Sequence, residues 1–199
     1  EIVGAPGSPN SITILLSGPF NYSVFNQTYP VTPPLFFSGG PVELGMKFQS
    51  TVPGSITGFR YYKGPGVTGV HTGHLWTSTG TLLATQVFTN ETTSGWQSVN
   101  LTTPVPITPN TTYIVSYFTA SGDFTREDPF FTQPIINGFL RGLANGEDGG
   151  NGVYIYAPTS TFPNNTSGSS SYFADVLFTS TDVTAPQVLS VTPVNGTTG

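Results

Sequence analysis

The chain has no cysteine, only 8% charged residues, and no apolar run near the ~20 residues that span a bilayer as a helix. Each shortage excludes something. Without cysteine there is no disulfide framework and no thiolate chemistry. A charged fraction so far below the roughly one quarter of an ordinary soluble domain leaves a neutral surface of Thr, Ser, Asn, Gly and Pro. Five basic residues against ten acidic ones give a net charge of −5, so no basic patch exists to neutralise a phosphate backbone, and nucleic acid is excluded as a partner. The longest apolar run, Ile12 to Leu16, is far too short for a transmembrane segment. No signal-like segment opens the chain at Glu1, as expected of a trimmed product.

Helical periodicity is also scarce. Only Pro134 to Ala144 carries it, through Ile135, Ile136, Phe139, Leu140 and Leu143, and Gly138 and Gly142 interrupt it, so one or two turns are predicted there.

Aromatic residues, by contrast, are plentiful. Fifteen Phe, nine Tyr and two Trp mark a chain with a core, because disordered chains are poor in such rings. The dominant period is two. Val42, Leu44, Met46 and Phe48 alternate with Glu43, Gly45, Lys47 and Gln49, which predicts a half-buried strand. Ile56 to Tyr62 follows the turn at Pro53-Gly54; His74 to Thr77 and Leu82 to Phe88 form a hairpin across Ser78-Thr79-Gly80. Trp96 to Leu101 is a strand ended by Pro104 and Pro106, and Thr112 to Phe118 is the most β-prone segment of all. With Gly152 to Tyr156 and Tyr172 to Thr179, about eight strands are expected, arranged as an antiparallel, jelly-roll-like β-sandwich.

Three regions follow: an extension over 1–23 with one strand at Ile12 to Leu16, the sandwich over 24–180, and a linker and strand over 181–199. The tail "TAPQVLSVTPVNGTTG" resembles the opening strand of a bacterial immunoglobulin-like repeat. Such a strand is not stable alone; it must pair with this domain, with a neighbouring molecule, or with residues outside this chain. Asn-X-Ser/Thr occurs at eight of the twelve asparagines: Asn21, Asn26, Asn90, Asn100, Asn110, Asn164, Asn165 and Asn195. These are candidate glycosylation sites on surface turns, and they favour an exported protein at the cell surface or outside it.

The blocks "PVELGMKF", "GSITGFRYYKG", "HTGHLWTSTGTLLAT", "SGWQSVNL", "TTYIVSYF", "NGVYIY" and "SYFADVLF" occur in that order. Together, over about residues 24 to 179, they resemble a bacterial family of domains of unknown function, catalogue number four thousand and eighty-two. The resemblance implies a module of a large exported protein, often beside immunoglobulin-like or cadherin-like repeats. It implies no particular activity. Where this chain has Phe173, the family's last block usually carries Trp, so any sugar-stacking platform involving that ring is weaker here.

Chemistry-bearing residues are sparse. The acids Glu43, Glu91, Asp123, Glu127, Asp128, Glu147, Asp148 and Asp175 form no paired-carboxylate motif, and neither a Gly-X-Ser-X-Gly elbow nor a His-Glu-X-X-His helix is present. A non-enzyme is expected. His71 and His74, three apart on a strand, point to opposite faces and make a poor metal pair; the plainer reading puts His71 in a loop and His74 beside the core. No cofactor is required. The ion the pattern accommodates is a structural calcium clipping first strand to last, with Glu43 and Asp175 as ligands, set against their being ordinary outward-facing acids. The loop Asn145 to Asn151 lacks the spacing of a calcium loop.

Two functions fit these features. In the first, the module works without catalysis in adhesion or self-assembly into a filament or surface layer, contacting other copies or other surface proteins through strand edges and terminal segments. That assembly reading requires that Ile12 to Leu16 and Val188 to Val191 not both pair within their own domain. In the second, it is a carbohydrate-binding module, with Arg60, Tyr62, His74, Trp76, Trp96 and Asp128 forming a glycan rim and Gly64 to Gly69 a loop over it. The rival assignment of both tryptophans is to the core.

Overall fold

The computed structural model describes residues 12–14, 21–26, 28–30, 34–181 and 188–191, the first and last of these segments as backbone only. Glu1, Asn195, and the expected linker over 182–187 with Asp182 lie outside the described residues.

Every regular element among the described residues is a strand. The first eight are β1 (Ile12–Ile14), β2 (Asn21–Tyr22), β3 (Leu35–Ser38), β4 (Val42–Ser50), β5 (Gly54–Lys63), β6 (His71–Thr77), β7 (Leu82–Val87) and β8 (Gly95–Ile107). The remainder are β9 (Tyr113–Thr119), β10 (Asp123–Arg126), β11 (Ile135–Asn137), β12 (Leu140–Gly142), β13 (Val153–Tyr156), β14 (Asn165–Thr166), β15 (Ala174–Ser180) and β16 (Val188–Val191).

Two antiparallel sheets face one another. The larger runs β11-β12-β4-β9-β6-β7, with β13 also on β4 and β14 on β13; the smaller runs β2-β15-β5-β8. Inward residues of both, among them Leu44, Met46, Phe48, Leu75, Val115 and Tyr117 opposite Phe59, Tyr61, Val176 and Phe178, form one buried cluster. The protein is an all-β sandwich, and its sheets end in open edges instead of closing.

β9 is central because Tyr113, Val115 and Tyr117 face that cluster while Ile114 and Ser116 are buried on the opposite side. β4 lies beside it along its whole length. Its other edge is shared by β13 over Val42 to Gly45 and by β12 over Phe48 to Ser50. Asn151 fills the gap between them. Its Oδ1 accepts the Lys47 N–H at 2.8 Å, and its Nδ2 donates to the carbonyls of Lys47 at 3.1 Å and Leu143 at 2.7 Å. One buried amide thus imitates a strand residue.

Several expectations need correcting. Pro134 to Ala144 is not helical: β11 and β12 make a hairpin turned by Gly138 at φ 58°, a left-handed conformation that glycine adopts freely. β8 does not stop at Pro104 but runs on through Pro106, because it is the outer strand of its sheet and a missing N–H there costs no ladder bond. β4 is buried on both faces, not half-buried, and His71 lies within β6, fully buried, not in a loop. β2 already belongs to the smaller sheet, ahead of the expected boundary at residue 24.

The terminal strands pair with each other. β1 and β16 form an antiparallel two-stranded sheet of their own, Ile12 opposite Val191. Each takes its ladder partner from the other terminus, and neither joins a sheet of the sandwich among the described residues.

Candidate functional site

The expected glycan rim does not exist as one surface. Alternation on β5 sends Phe59 and Tyr61 into the core and Arg60 and Tyr62 to the outer face of the smaller sheet, where Trp96 of β8 stands opposite Tyr62. His74 and Trp76 lie on the outer face of the larger sheet. Asp128 is exposed beyond β10 and pairs with Arg126 at 2.7 Å. Glu43 and Asp175 stand on different sheets, each with separate partners, so they do not converge on one ion.

On the larger sheet, Glu43 is fully buried beneath the segment 157–164. Its Oε1 accepts from His74 Nδ1 at 2.9 Å and from Ser116 Oγ at 2.6 Å, while Oε2 accepts from Ser160 Oγ at 2.9 Å. Trp76 Nε1 donates to Ser116 Oγ at 2.8 Å, and Phe162 packs edge-on against the Trp76 ring. Ser160, His74 and Glu43 have the composition of a hydrolytic triad, but not its geometry. Ser160 Oγ lies 3.1 Å from His74 Nε2 and 3.4 Å from Nδ1, nearly equidistant, which puts it over the ring and away from any in-plane lone pair. A general base accepts in the ring plane.

A second cluster lies inside the core at one end of β5 and β6. Glu91 accepts from Lys63 Nζ at 2.8 Å, from Tyr61 O–H at 2.7 Å and from His71 Nδ1 at 3.0 Å. Nδ1 therefore carries the His71 proton, and Nε2 is buried without a partner. Burial lowers the His71 pKa against the pull of Glu91, and burial with Glu91 drives the Tyr61 phenol far above its ordinary range. Burial also works to raise the Glu91 carboxyl, but Lys63, Tyr61 and His71 outweigh it and hold it below the usual value. The cluster ties two strands to the 88–94 connection; it presents no open face to a substrate.

The third arrangement is concave. On the outer face of the smaller sheet, a cavity of about 670 Å³ is lined by Asn21, Ser23, Asn26, Thr57, Arg60, Asn100 and Asn137, with Tyr22 and Leu177 as apolar walls and the fully buried Phe178 beneath. Its volume falls in the range of small-ligand sites. Gly58 keeps the neighbouring strands close, since a Cβ there would meet Leu177 Cδ1 at 2.9 Å. Arg60 is the one charged residue of the lining. Its guanidinium lies over the Trp96 ring at 4.3 Å, and its Nη1 donates to Ser23 Oγ at 2.9 Å. Behind it, Asp175 accepts the N–H groups of Val24 and Val176, both at 2.8 Å, and of Phe25 at 3.4 Å. Burial pushes the Asp175 carboxyl up to about 7, against Arg60 and those N–H groups.

Trp96 is no open platform. Phe25 and Tyr62 flank its ring and its Nε1 donates to the Tyr29 carbonyl at 2.7 Å. Phe173, the position where a tryptophan was expected, is buried against Phe25, Tyr62 and Phe130 and belongs to the same aromatic layer.

Parity along β8 could have placed Asn100 on the face of Trp96, four residues away, but in the sequence it stood out only as a sequon. Ser23, Asn137 and Ser160 carried no such signal, because they reach their sites from loops or distant strands. No group of three or more His, Cys, Asp or Glu gathers in metal-binding proximity among the described residues.

The fold thus defines an antiparallel β-sandwich with a polar cavity on one outer face. The chain belongs to the family described as a domain of unknown function (DUF4082), whose model matches residues 29–174. No curated protein matches the chain significantly.

Proposed function

We propose that the chain is a non-catalytic β-sandwich module of an extracellular or cell-surface protein, and that it binds glycan in the cavity on the outer face of its smaller sheet. The observation that carries this reading is the cavity's chemistry. Four side-chain amides, from Asn21, Asn26, Asn100 and Asn137, and the hydroxyls of Ser23 and Thr57 stand around one hollow beside the apolar Leu177 and Tyr22. Amides donate and accept at once, which suits a ring of sugar hydroxyls, and the apolar wall suits sugar C–H faces. Binding runs through a polar hollow and not through a flat aromatic platform, since Trp76 is buried and the Trp96 ring is already covered. The hydroxyl-rich, weakly charged surface and the sequons support an exported setting.

The test is a glycan array probed with protein made in a host that does not N-glycosylate, since Asn21, Asn26 and Asn100 belong to sequons and also line the cavity. Retention of at least one glycan, reduced tenfold or more by Asn137→Ala, is the expected outcome. Retention untouched by Asn137→Ala and by Thr57→Ala places the ligand elsewhere and defeats the reading.

Self-association through a strand edge is a second reading, favoured by β7. It is the outer strand of the larger sheet, and Leu82, Leu83 and Val87 on it are exposed. Light scattering should then show dimers that Val87→Lys dissolves; a monomer at all concentrations ends this version.

A further inference from the structure

We infer that the cavity is selective for a carboxylated sugar, a uronic acid or its like, and that Arg60 is the anchor for the carboxylate. The inference rests on the glycan reading above and names its ligand class. Arg60 is 5% exposed, so its charge is held almost wholly out of water. A guanidinium has five N–H donors, and buried donors are ordinarily all matched. Here they are not. Nη1 has the Ser23 hydroxyl at 2.9 Å; Nη2 and Nε have no hydrogen-bond acceptor. The neighbouring carboxylate does not supply one, because Nε lies 3.8 Å from Asp175 Oδ2, beyond hydrogen-bond reach. Asp175 directs its oxygens instead to the backbone of Val24, Phe25 and Val176. The Trp96 ring beneath fixes the plane of the fork without satisfying any of its donors.

A planar fork with two unmatched nitrogens fits a carboxylate, which accepts two parallel N–H bonds at once. Ser23 holds the third nitrogen. Its hydroxyl donates to the Phe25 carbonyl at 2.7 Å and accepts from Nη1, a neutral partner that a carboxylate outcompetes. Nη2 and Nε are shut off from solvent, so the Arg60 side chain must shift as the carboxylate enters. Charge count selects the valence. Arg60 is the sole charged group of the lining, so a singly charged carboxylate is favoured over a phosphate dianion. The surrounding amides of Asn26, Asn100 and Asn137 would meet the ring hydroxyls, with Asn26 Oδ1 already accepting from the Thr28 N–H and Asn137 Nδ2 already donating to the Ser23 carbonyl.

The experiment compares carboxylated glycans, uronate and sialate, with their methyl esters and with neutral counterparts, on an array and then by titration. Wild-type protein should bind a carboxylated glycan at least tenfold more tightly than its methyl ester. Asn100→Asp, at an exposed position of the lining, should weaken the acid at least tenfold more than it weakens the ester. Arg60→Lys keeps the charge beside Asp175 but loses the fork, and should erase the preference, with circular dichroism reporting that the sandwich persists. Equal binding of acid and ester overturns the carboxylate assignment while the glycan reading stands. Binding of neither overturns both.

Discussion

His71 and Asp175 are both sealed from water, and burial acts on them with opposite sign. For His71 the folded pKa is lowered below the ordinary 6.5, so the unfolded chain takes up a proton that the folded chain refuses, and stability falls as pH drops below about 6.5. For Asp175 the folded value is raised to about 7 from 3.8, so the folded chain holds its proton longer, and this contribution to stability declines as pH climbs through that interval. Below about pH 6.5 the two slopes oppose each other. Urea unfolding across this range should show Asp175→Asn removing the decline with rising pH and His71→Phe removing the loss on acidification. A slope unchanged in both variants would place the titration elsewhere.

At the scale of elements, the larger sheet depends on a side chain acting as backbone. β4 has two short partners on one edge, and the Asn151 amide bridges the interval at Lys47. Replacing it by alanine leaves the Lys47 N–H and the Leu143 carbonyl without these bonds. We expect Asn151→Ala to cost about 3 kcal/mol, the sum of several buried unsatisfied groups. Hydrogen exchange should speed up at Lys47, while the amides of β5, on the other sheet, remain protected. The individual strands were legible because alternation depends on local sequence alone: β4, β5, β7, β9, β13 and β15 lie close to where period two put them. The failures had local causes too. Ile136 and Leu140 imitate helical spacing, yet Gly138 turns the chain between them, and Pro104 signals a stop only when the strand carrying it has neighbours on both sides.

Across the whole molecule, the terminal strands are a separate structural unit. β1 and β16 pair only with each other among the described residues, and no ladder joins them to either sheet of the sandwich. Deleting residues 1–18 and 184–199 is therefore expected to move the thermal midpoint of the sandwich by less than about 3 °C, as measured by circular dichroism; an effect of 1 kcal/mol would move it by about that much or more. A collapse of the midpoint would show that the ribbon braces the sandwich.

The sequence by itself determined the all-β class, the period-two core and the family, because side-chain alternation and ring content act along the chain and do not depend on which strands meet. The shared face of Arg60, Tyr62 and Trp96 came from the register of β5 against β8, which parity along either strand does not contain. Which faces meet, and what covers them, was settled only in three dimensions. Glu43 and Asp175 were matched as first and last strand, yet they stand in different sheets, and the cavity is assembled from β2, β5, β8, β11, β15 and the segment after β2. Contacts between residues 151 apart, such as Val24 with Asp175, leave no periodic trace, since their geometry arises from sheet order and not from spacing.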